Sequence, residues 1–485
     1  MHGWIFENRP RVLAEIGIKD RFTVPTDLVA LLRANGPLAA SAVAERMGAS
    51  RPTLSRAVRA AGAALIVRGR ARRTRYAARR ALRGSLEPLP LFRIDREGTP
   101  HQVAEVELIY PDGTALAYAG EFDWPLEVEM QDGWFDGLPY PMQDMRPQGF
   151  LGRNFARQHA AVLQVPEDPS IWSDDDALYA LSILGDDVPG DLLVGAAACR
   201  RWLEQVQRVA SGAASKGLAD SSLTREYPTL AAQALDMGLA GSSAGGEFPK
   251  FTTLRQLADG TQQHVLVKFS GSDDSPGTQR WSDLLVCEHL AGLALEAHAG
   301  IATAHSRIHA HAGRTFLEVD RFDRHGALGR SPMVSWAALN NTFIGSAGRA
   351  WPEAVRPLAQ KGWLEAGERD RILRVWLFGQ LIANTDMHDG NLSFLPVRQG
   401  DVNMLRLAPI YDMLPMAYAP VRGVELPPRN YTPRLPLPAE AAAWQDAARA
   451  ALAFWELAAS DERISAGFRR ICGDNAALLR KTGGR

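Results

Sequence analysis

The sequence is poor in cysteine. Only three cysteines occur in 485 residues, and Cys199, Cys287 and Cys472 lie far apart. This spacing excludes a disulfide framework and a cysteine-rich zinc site, and it indicates a reducing compartment. No run of about twenty apolar residues is present that would span a membrane. The first residues also lack the basic start and apolar run of a signal peptide. We therefore expect a cytoplasmic protein with no membrane partner.

Acidic residues are missing from one long segment. From Arg46 to Leu86 there are twelve arginines and no Asp or Glu, although the whole chain has a formal net charge of −1. Solvated surfaces usually mix charges of both signs, so this segment favours a polyanionic partner such as double-stranded DNA. The alternative is a solvated basic face on a small helical domain.

The same segment has the pattern of three helices and a hairpin. Helices are predicted over residues 26–34, 39–47 and 51–60, and strands over 64–67 and 74–77. Ser50 is a suitable N-cap for the third helix. This order is similar to a winged helix-turn-helix domain, in which Leu54 and Val58 would point into the core. The predicted DNA-binding residues are Arg51, Thr53, Ser55, Arg56 and Arg59 on the third helix, and Arg70, Arg72 and Arg73 at the hairpin tip.

Residues 95–200 form a separate module in the sequence. Strands are predicted at 105–110 and 114–120, joined by the turn Pro111-Asp112-Gly113, and helical spacing begins at Pro166. No pattern in this module indicates chemistry.

The most informative motif is Asn-Thr-Asp-Met-His-Asp-Gly-Asn at residues 384–391, with Pro-Ile-Tyr-Asp at 409–412. Phosphoryl transfer needs an acid that orients the attacking hydroxyl and oxygen ligands that hold Mg²⁺ on the ATP phosphates. Asp386 fits the first role as the catalytic residue, and Asn391 with Asp412 fits the second as metal ligands. The alternative is that these residues only cap helices or close turns.

Three upstream segments match this chemistry. Residues 241–250 are rich in glycine and serine, and small residues such as Gly245 and Gly246 let the backbone approach a phosphate. Lys268 lies in an apolar strand and needs a partner. Glu288, in the helical run 283–291, is the candidate partner. Residues 315–324 indicate a strand running into a linker, where a kinase hinge would meet adenine.

The order of these parts resembles the HipA family of serine/threonine kinases, the toxin halves of bacterial toxin–antitoxin pairs. The resemblance covers roughly residues 100–480, and the added DNA-binding domain makes the chain most similar to the YjjJ-like subgroup. Two departures are Phe248, where a glutamine is usual, and Asp389-Gly390, where a small residue and a lysine are common. The matching segments are Ser243–Lys250, Glu318–Arg324, Thr385–Asn391 and Tyr411–Asp412, with Phe150–Arg153 and Leu184–Asp187 before them.

The resemblance implies an α+β fold. It is a HipA-like two-lobed kinase fold with a mainly helical C-lobe, preceded by the winged helix-turn-helix domain. The expected boundaries are 1–25 for an N-terminal extension, 26–88 for the DNA-binding domain, 95–200 for the HipA N-terminal subdomain, 201–334 for the kinase N-lobe and 335–485 for the C-lobe.

It also implies ATP and Mg²⁺ as cofactors and autophosphorylation of Ser243, with Ser242 as the alternative acceptor. A protein substrate is implied, with an aminoacyl-tRNA synthetase as one candidate, and so is a HipB-like antitoxin as a further partner. The nucleotide contacts would come from Ser243, Gly245, Gly246, Lys268, Glu318, Phe322 and His388.

Two other functions fit parts of the sequence. A transcription regulator whose kinase-like domain senses a ligand without turnover would share the DNA-binding domain. The complete set of Lys268, Asp386, Asn391 and Asp412 argues against it. A P-loop ATPase is disfavoured because Phe251 follows Lys250 where a P-loop needs Ser or Thr.

Overall fold

The computed structural model describes residues 27–237, 248–346, 348–421, 425–426 and 428–483. The chain divides into two compact units, Met1–Arg79 and Arg80–Arg485. The first unit therefore ends before residue 88, where the sequence placed the end of the DNA-binding domain.

The described part of the first unit, residues 27–79, contains three α-helices and a small antiparallel sheet with the strand order β1-β3-β2. The third helix begins after Ser50, whose Oγ accepts the Thr53 N–H at 3.4 Å. Leu54 is buried and Val58 is half-buried, so the core-facing side of this helix agrees with the sequence pattern. The elements are α1 (Leu28–Asn35), β1 (Leu38–Ala39), α2 (Ala40–Met47), α3 (Arg51–Ala61), β2 (Leu65–Arg68) and β3 (Arg75–Ala78).

The second unit begins with a module that we call the middle module. Its five strands form one sheet in the order β7-β6-β5-β4-β8. The predicted hairpin around residues 111–113 is present, with Leu108 opposite Thr114. The elements are β4 (Leu89–Ile94), β5 (Pro100–Ile109), β6 (Gly113–Tyr118), α4 (Val128–Gln131), β7 (Trp134–Phe135), α5 (Tyr140–Gln143), α6 (Gly149–Leu163), α7 (Asp174–Leu184), β8 (Leu192–Val194) and α8 (Ala196–Ala210).

A four-stranded antiparallel sheet follows in the order β11-β12-β10-β9. One face of it packs on an aromatic core that includes Phe251, Phe269 and Phe316. The long helix α10 contributes to the main core of the unit. The elements are α9 (Leu223–Met237), β9 (Lys250–Gln256), β10 (Gln262–Phe269), α10 (Pro276–Ala299), β11 (Ser306–His311) and β12 (Arg314–Asp320).

The last part of the chain is mainly helical, with a small sheet of order β15-β16-β17 and the two-stranded pair β13-β14. Helix α14 leads into residues 384–391, which we call the catalytic loop. Among the described residues no helix is long and apolar enough to cross a membrane. The elements are β13 (Arg324–His325), β14 (Gly329–Arg330), β15 (Val334–Ser335), α11 (Trp336–Phe343), α12 (Trp351–Ala354), α13 (Arg356–Gln360), α14 (Glu368–Leu381), β16 (Ser393–Gln399), β17 (Val402–Leu407), α15 (Ala441–Ser460) and α16 (Ala466–Gly483).

Candidate active site

Side chains along strand β10 point alternately to the two faces of the sheet, and this determines the direction of Lys268. Val267 and Phe269 face the aromatic core, so Lys268 points to the other face of the sheet. Its Nζ donates to both carboxylate oxygens of Glu288 on α10, at 2.7 and 2.9 Å, and also contacts Asp412. The side chains of Lys268 and Glu288 are each only 7% exposed. A buried ammonium needs such partners, so the predicted Lys268–Glu288 pair is confirmed.

Asn384 organises the entry to the catalytic loop. Its side-chain Oδ1 accepts the Asp386 N–H at 3.0 Å, and its Nδ2 lies 3.4 Å from the carbonyl oxygen of Asp412. The backbone is in the left-handed region at Ala383 and at Asp412, both with φ of 57°. One buried amide therefore links the segment that carries the proposed catalytic acid to the segment that carries the proposed metal ligand. The carboxylate of Asp386 itself is exposed.

Tyr411 makes a second link between the same segments. Its hydroxyl donates to the Gly390 carbonyl at 2.9 Å and lies 2.7 Å from Ser393 Oγ. Its ring stacks on Phe322, with centroids 6.1 Å apart. Burial raises the pKa of Tyr411, so the hydroxyl remains a donor. The sequence alone indicated no role for Asn384 or Tyr411, although both lie inside its most informative motifs.

The residues predicted to bind Mg²⁺ suit that ion. Asn391 is buried, and its Nδ2 donates to the Asp386 carbonyl at 2.8 Å, which leaves its amide oxygen for a ligand role. The Asp412 side chain is 29% exposed and its carboxylate contacts Lys268. Oxygen ligands of this kind suit Mg²⁺, which is held by one or two carboxylates together with substrate phosphates. The described residues contain no cluster of three or more His, Cys, Asp or Glu that could hold a metal ion.

A cleft of about 640 Å³ opens beside Lys268. Glu288, Asp412 and Tyr411 line it together with residues 319–323, which we call the hinge. Lys250 also lines the cleft, and so does Phe322, which the sequence placed among the nucleotide contacts. A volume of this size is typical of small-molecule sites.

The middle module supplies another part of the cleft wall. Leu151 and Phe155 of α6 line it, as do residues 184–189 after α7. No sequence pattern indicated chemistry in this module. The one available signal was the resemblance of Phe150–Arg153 and Leu184–Asp187 to a known family, because nothing in their composition suggests a ligand site.

Glu318 requires a correction. Its side chain is fully buried, and it points away from the cleft because it lies on the same face of β12 as Phe316. The carboxylate contacts Arg255 and Tyr227 and lies 2.9 Å from Arg307 Nη1. Glu318 was expected among the nucleotide contacts, and its side chain does not line the cleft. A contact through its backbone stays a prediction. Its neighbour Val319 lines the cleft instead.

Burial alone would raise the pKa of Glu318. Hydrogen bonds to His309 and Tyr227 and the charge of Arg255 outweigh burial and lower the pKa to about 2. Glu318 is thus an ionised carboxylate inside the sheet, paired with a guanidinium that is also buried.

His388 and Asp389 shape the catalytic loop. His388 is exposed, and its Nδ1 accepts the Gly390 N–H at 3.0 Å, so its observed role is to cap the turn that follows. Asp389 accepts a hydrogen bond from Asn340 Nδ2 at 2.7 Å, which ties the loop to α11. Neither residue lines the cleft. The predicted nucleotide contacts Ser243, Gly245 and Gly246 and the alternative autophosphorylation acceptor Ser242 lie outside the described residues.

The first unit carries the predicted basic face. Arg59 Nε lies 3.4 Å from the Ser55 carbonyl, and Arg56 Nη2 lies 3.4 Å from Thr53 Oγ1, so these side chains lie along one side of α3. The exposed residues are Arg51, Thr53, Ser55, Arg56 and Arg59 on α3, and Arg70, Arg72 and Arg73 between β2 and β3.

Together, a strand lysine paired with a helix glutamate, an Asp–Asn loop and a following aspartate define a kinase-like protein. Family models agree: residues 242–475 match the HipA-like C-terminal domain, and residues 85–203 match the YjjJ-like toxin middle domain. Toxin YjjJ of Escherichia coli (strain K12) is 39% identical over 447 residues, which cover 92% of this chain and 96% of the relative. The chain belongs to the YjjJ-like toxin family, and the resemblance inferred from the motifs is confirmed.

Two solved structures are also similar. The HipA of Shewanella oneidensis MR-1, in a complex with HipB and operator DNA, has a TM-score of 0.49 and 15% identity, covering 81% of this chain and 96% of that one. The proinflammatory kinase CtkA of Helicobacter pylori has a TM-score of 0.33 and 14% identity, covering 48% of this chain and 89% of that one.

Proposed function

We propose that this protein is an ATP- and Mg²⁺-dependent serine/threonine protein kinase with its own DNA-binding domain. The observation that carries the proposal is the contact of Lys268 with both Glu288 and Asp412 at the edge of the cleft. Glu288 holds the ammonium group of Lys268 at the cleft, and Mg²⁺ on Asp412 would release that carboxylate from the lysine, so that two cations face the phosphates. Phosphoryl transfer depends mainly on such positioning and charge.

Each residue has a separate task in this proposal. Lys268 donates to the phosphates of ATP, and Glu288 fixes the position of its ammonium group. Asp386, exposed in the catalytic loop, accepts a hydrogen bond from the acceptor hydroxyl and orients it. Asn391 and Asp412 hold Mg²⁺, which neutralises charge on the phosphates. Asn384 and Tyr411 keep the two ligand-bearing segments in register.

Incubation of the full chain with radiolabelled ATP and Mg²⁺, followed by phosphosite mapping, tests the proposal directly. We expect label on protein, and none when Mg²⁺ is chelated. A ligand sensor without turnover would bind ATP and transfer no label, and that result would replace the kinase assignment.

In the same experiment we expect phosphate on Ser243, or on Ser242 as the alternative. A phosphate adds up to about two negative charges, which would repel ATP phosphates from a neighbouring site. The phosphorylated protein should therefore bind ATP more weakly than the unmodified protein, as measured by titration calorimetry. Mass spectrometry of an active enzyme with both serines unmodified would remove autophosphorylation and leave the kinase assignment standing.

We also propose that the first unit binds double-stranded DNA as a winged helix-turn-helix domain. The support is the exposed arginine face of α3 beside the arginine-rich segment between β2 and β3. In this arrangement α3 contacts base edges in the major groove, and the hairpin arginines contact phosphates.

Replacement of Arg70, Arg72 and Arg73 by alanine should weaken the binding of all DNA sequences. The dependence of log K on log[salt] should also flatten, by about one unit for each phosphate that the variant no longer neutralises. Replacement of Arg56 or Arg59 should instead reduce discrimination between operator and random DNA. Mobility-shift titrations of the full chain at two salt concentrations measure both effects. The matched control removes three exposed arginines of the second unit, Arg208, Arg369 and Arg470. Equal losses in the control and the hairpin variant would contradict the assignment.

Membership of a toxin family supports a further proposal about partners. We propose a protein substrate, with an aminoacyl-tRNA synthetase as the first candidate, and a HipB-like antitoxin as a second partner beside DNA. Induced expression should arrest growth, and the Asp386→Asn variant should not. Phosphosite mapping of the arrested cells would identify the substrate.

A further inference from the structure

The loop that follows α7 is held firmly against the hinge. The Gly190 N–H donates to Asp323 Oδ2 at 2.9 Å, and Arg324 Nη1 donates to the Gly190 carbonyl at 2.8 Å. Arg324 also donates to the Val188 carbonyl. These hydrogen bonds join residues more than a hundred positions apart in the chain, so the loop is a fixed wall of the cleft.

The acidic residue at the end of the hinge is not available to a ligand. Asp323 is 5% exposed, and its carboxylate is shared among Arg321, Arg324 and the Gly190 N–H. Burial would raise the pKa of Asp323, but the two guanidinium groups lower it to about 2. This carboxylate is an internal counter-ion.

Asp187, unlike Asp323, has a carboxylate that a ligand in the cleft can reach. It lines the cleft, and its side chain is 57% exposed. Its Oδ1 accepts hydrogen bonds from Arg321 Nη1 at 3.0 Å and from Arg324 Nη2 at 3.3 Å, which fixes its orientation. Partial desolvation by the cleft wall would raise the pKa of Asp187, but Arg321 and Arg324 hold the pKa well below its ordinary value. Asp187 is therefore an ionised, acceptor-only group whose second oxygen remains for a ligand.

The chemistry of the surrounding wall limits what this oxygen can bind. Lys268 and Asp412 mark the end of the cleft that suits phosphates, and Leu266, Val319 and Phe322 form the apolar part that suits a flat base. A carboxylate repels phosphate and gains nothing from an aromatic face. Its suitable partners are N–H and O–H donors. In a nucleotide these are the amino group of the base, at the end away from the phosphates, and the sugar hydroxyls, which lie between base and phosphates.

We propose that Asp187 accepts hydrogen bonds from the ribose hydroxyls of the nucleotide bound in this cleft. The middle module would then determine selectivity for ribonucleotides, through a residue outside the kinase-like region. This inference rests on the proposed nucleotide-binding function of the cleft.

Titration calorimetry of the full chain with ADP and with 2′,3′-dideoxy-ADP, both with Mg²⁺, tests the inference without turnover. In the wild type the dideoxy ligand should bind roughly tenfold more weakly, because it cannot donate a hydrogen bond to the charged acceptor. In Asp187→Ala the two ligands should bind within about twofold of each other. Asp187→Asn, which keeps the shape of the side chain, should give an intermediate ratio and serves if the alanine variant fails to fold.

The matched control is Asp186→Asn. Asp186 lines the same cleft, but its carboxylate accepts from Arg201 Nε at 2.8 Å. In Asp186→Asn, the Kd for 2′,3′-dideoxy-ADP divided by the Kd for ADP should equal the wild-type value. A wild type that binds ADP and 2′,3′-dideoxy-ADP equally well would overturn the role of Asp187 while the cleft remains a nucleotide site. An Asp187→Ala variant that keeps the roughly tenfold difference between the two ligands would do the same. A wild type that binds no ADP would overturn both this inference and the proposed function.

Discussion

Asp412→Asn and Asp386→Asn should each abolish phosphoryl transfer while leaving the fold intact. Asp412 contacts Lys268 and is one of two proposed Mg²⁺ ligands, and Asp386 is the proposed acceptor-orienting acid. Loss of a metal carboxylate removes several kcal/mol of charge stabilisation from the transition state, or about three orders of magnitude in rate. Asparagine also tolerates the left-handed backbone at position 412, so this variant adds little strain.

Initial rates of label transfer from ATP measure the effect. The control is Asp401→Asn, which makes the same chemical change at an exposed position beside the turn between β16 and β17 and should keep the wild-type rate. Thermal melting and DNA binding should be the same in all three variants. Near-native transfer by either active-site variant would refute the assignment of that residue.

The parts of the site that were predictable from sequence are those with a local physical requirement. A lysine in an apolar strand needs a partner, and Glu288 was the candidate because kinase sites pair this lysine with a helix glutamate. In the same way, Ser50 is a suitable cap before a run with helical spacing, and it begins α3 as expected. The signals themselves, a charged residue in an apolar strand and a serine before a helical run, are visible in a few residues, although Glu288 lies 20 positions from Lys268.

The face of a strand is harder to predict. Strand β12 reads Arg-Thr-Phe-Leu-Glu-Val-Asp, with large apolar residues at adjacent positions. Because both faces of this strand contact protein, the sequence has no clean alternation to show which side meets the cleft. A shift of one residue exchanges the two faces, so the sequence did not show that the Glu318 side chain turns away from the cleft.

Contacts between segments that are far apart in the chain cannot be read from any local sequence pattern. The pairing of Asp187 with Arg321 joins residues 134 positions apart, and it makes the middle module part of the cleft. No spacing rule connects these residues. The motifs alone therefore confined the predicted site to the kinase-like region.

The second large effect is a loss of stability, and it is expected when the buried side chain of Glu318 is changed. Arg255 is 1% exposed and Glu318 is 0% exposed, and the two are in direct contact. Breaking a buried ion pair by removing one partner typically costs about 3–5 kcal/mol, because the other charge stays buried and uncompensated. Glu318→Gln should therefore lower the free energy of unfolding by about that amount. The nucleotide affinity of the folded protein should not change, since the side chain points away from the cleft.

Urea unfolding and titration with ADP, performed on the same samples, separate these two outcomes. The control is Glu226→Gln, whose partner Arg225 is 82% exposed, and which should cost less than about 1 kcal/mol. The free energy of unfolding of the wild type should also depend on pH through Glu318. The pKa of Glu318 is lowered from 4.5 to about 2, so its contribution to stability is present above pH 4.5 and is lost as the pH falls towards 2. A stable Glu318→Gln protein with weakened ADP binding would reverse our placement of this residue and return it to the nucleotide site.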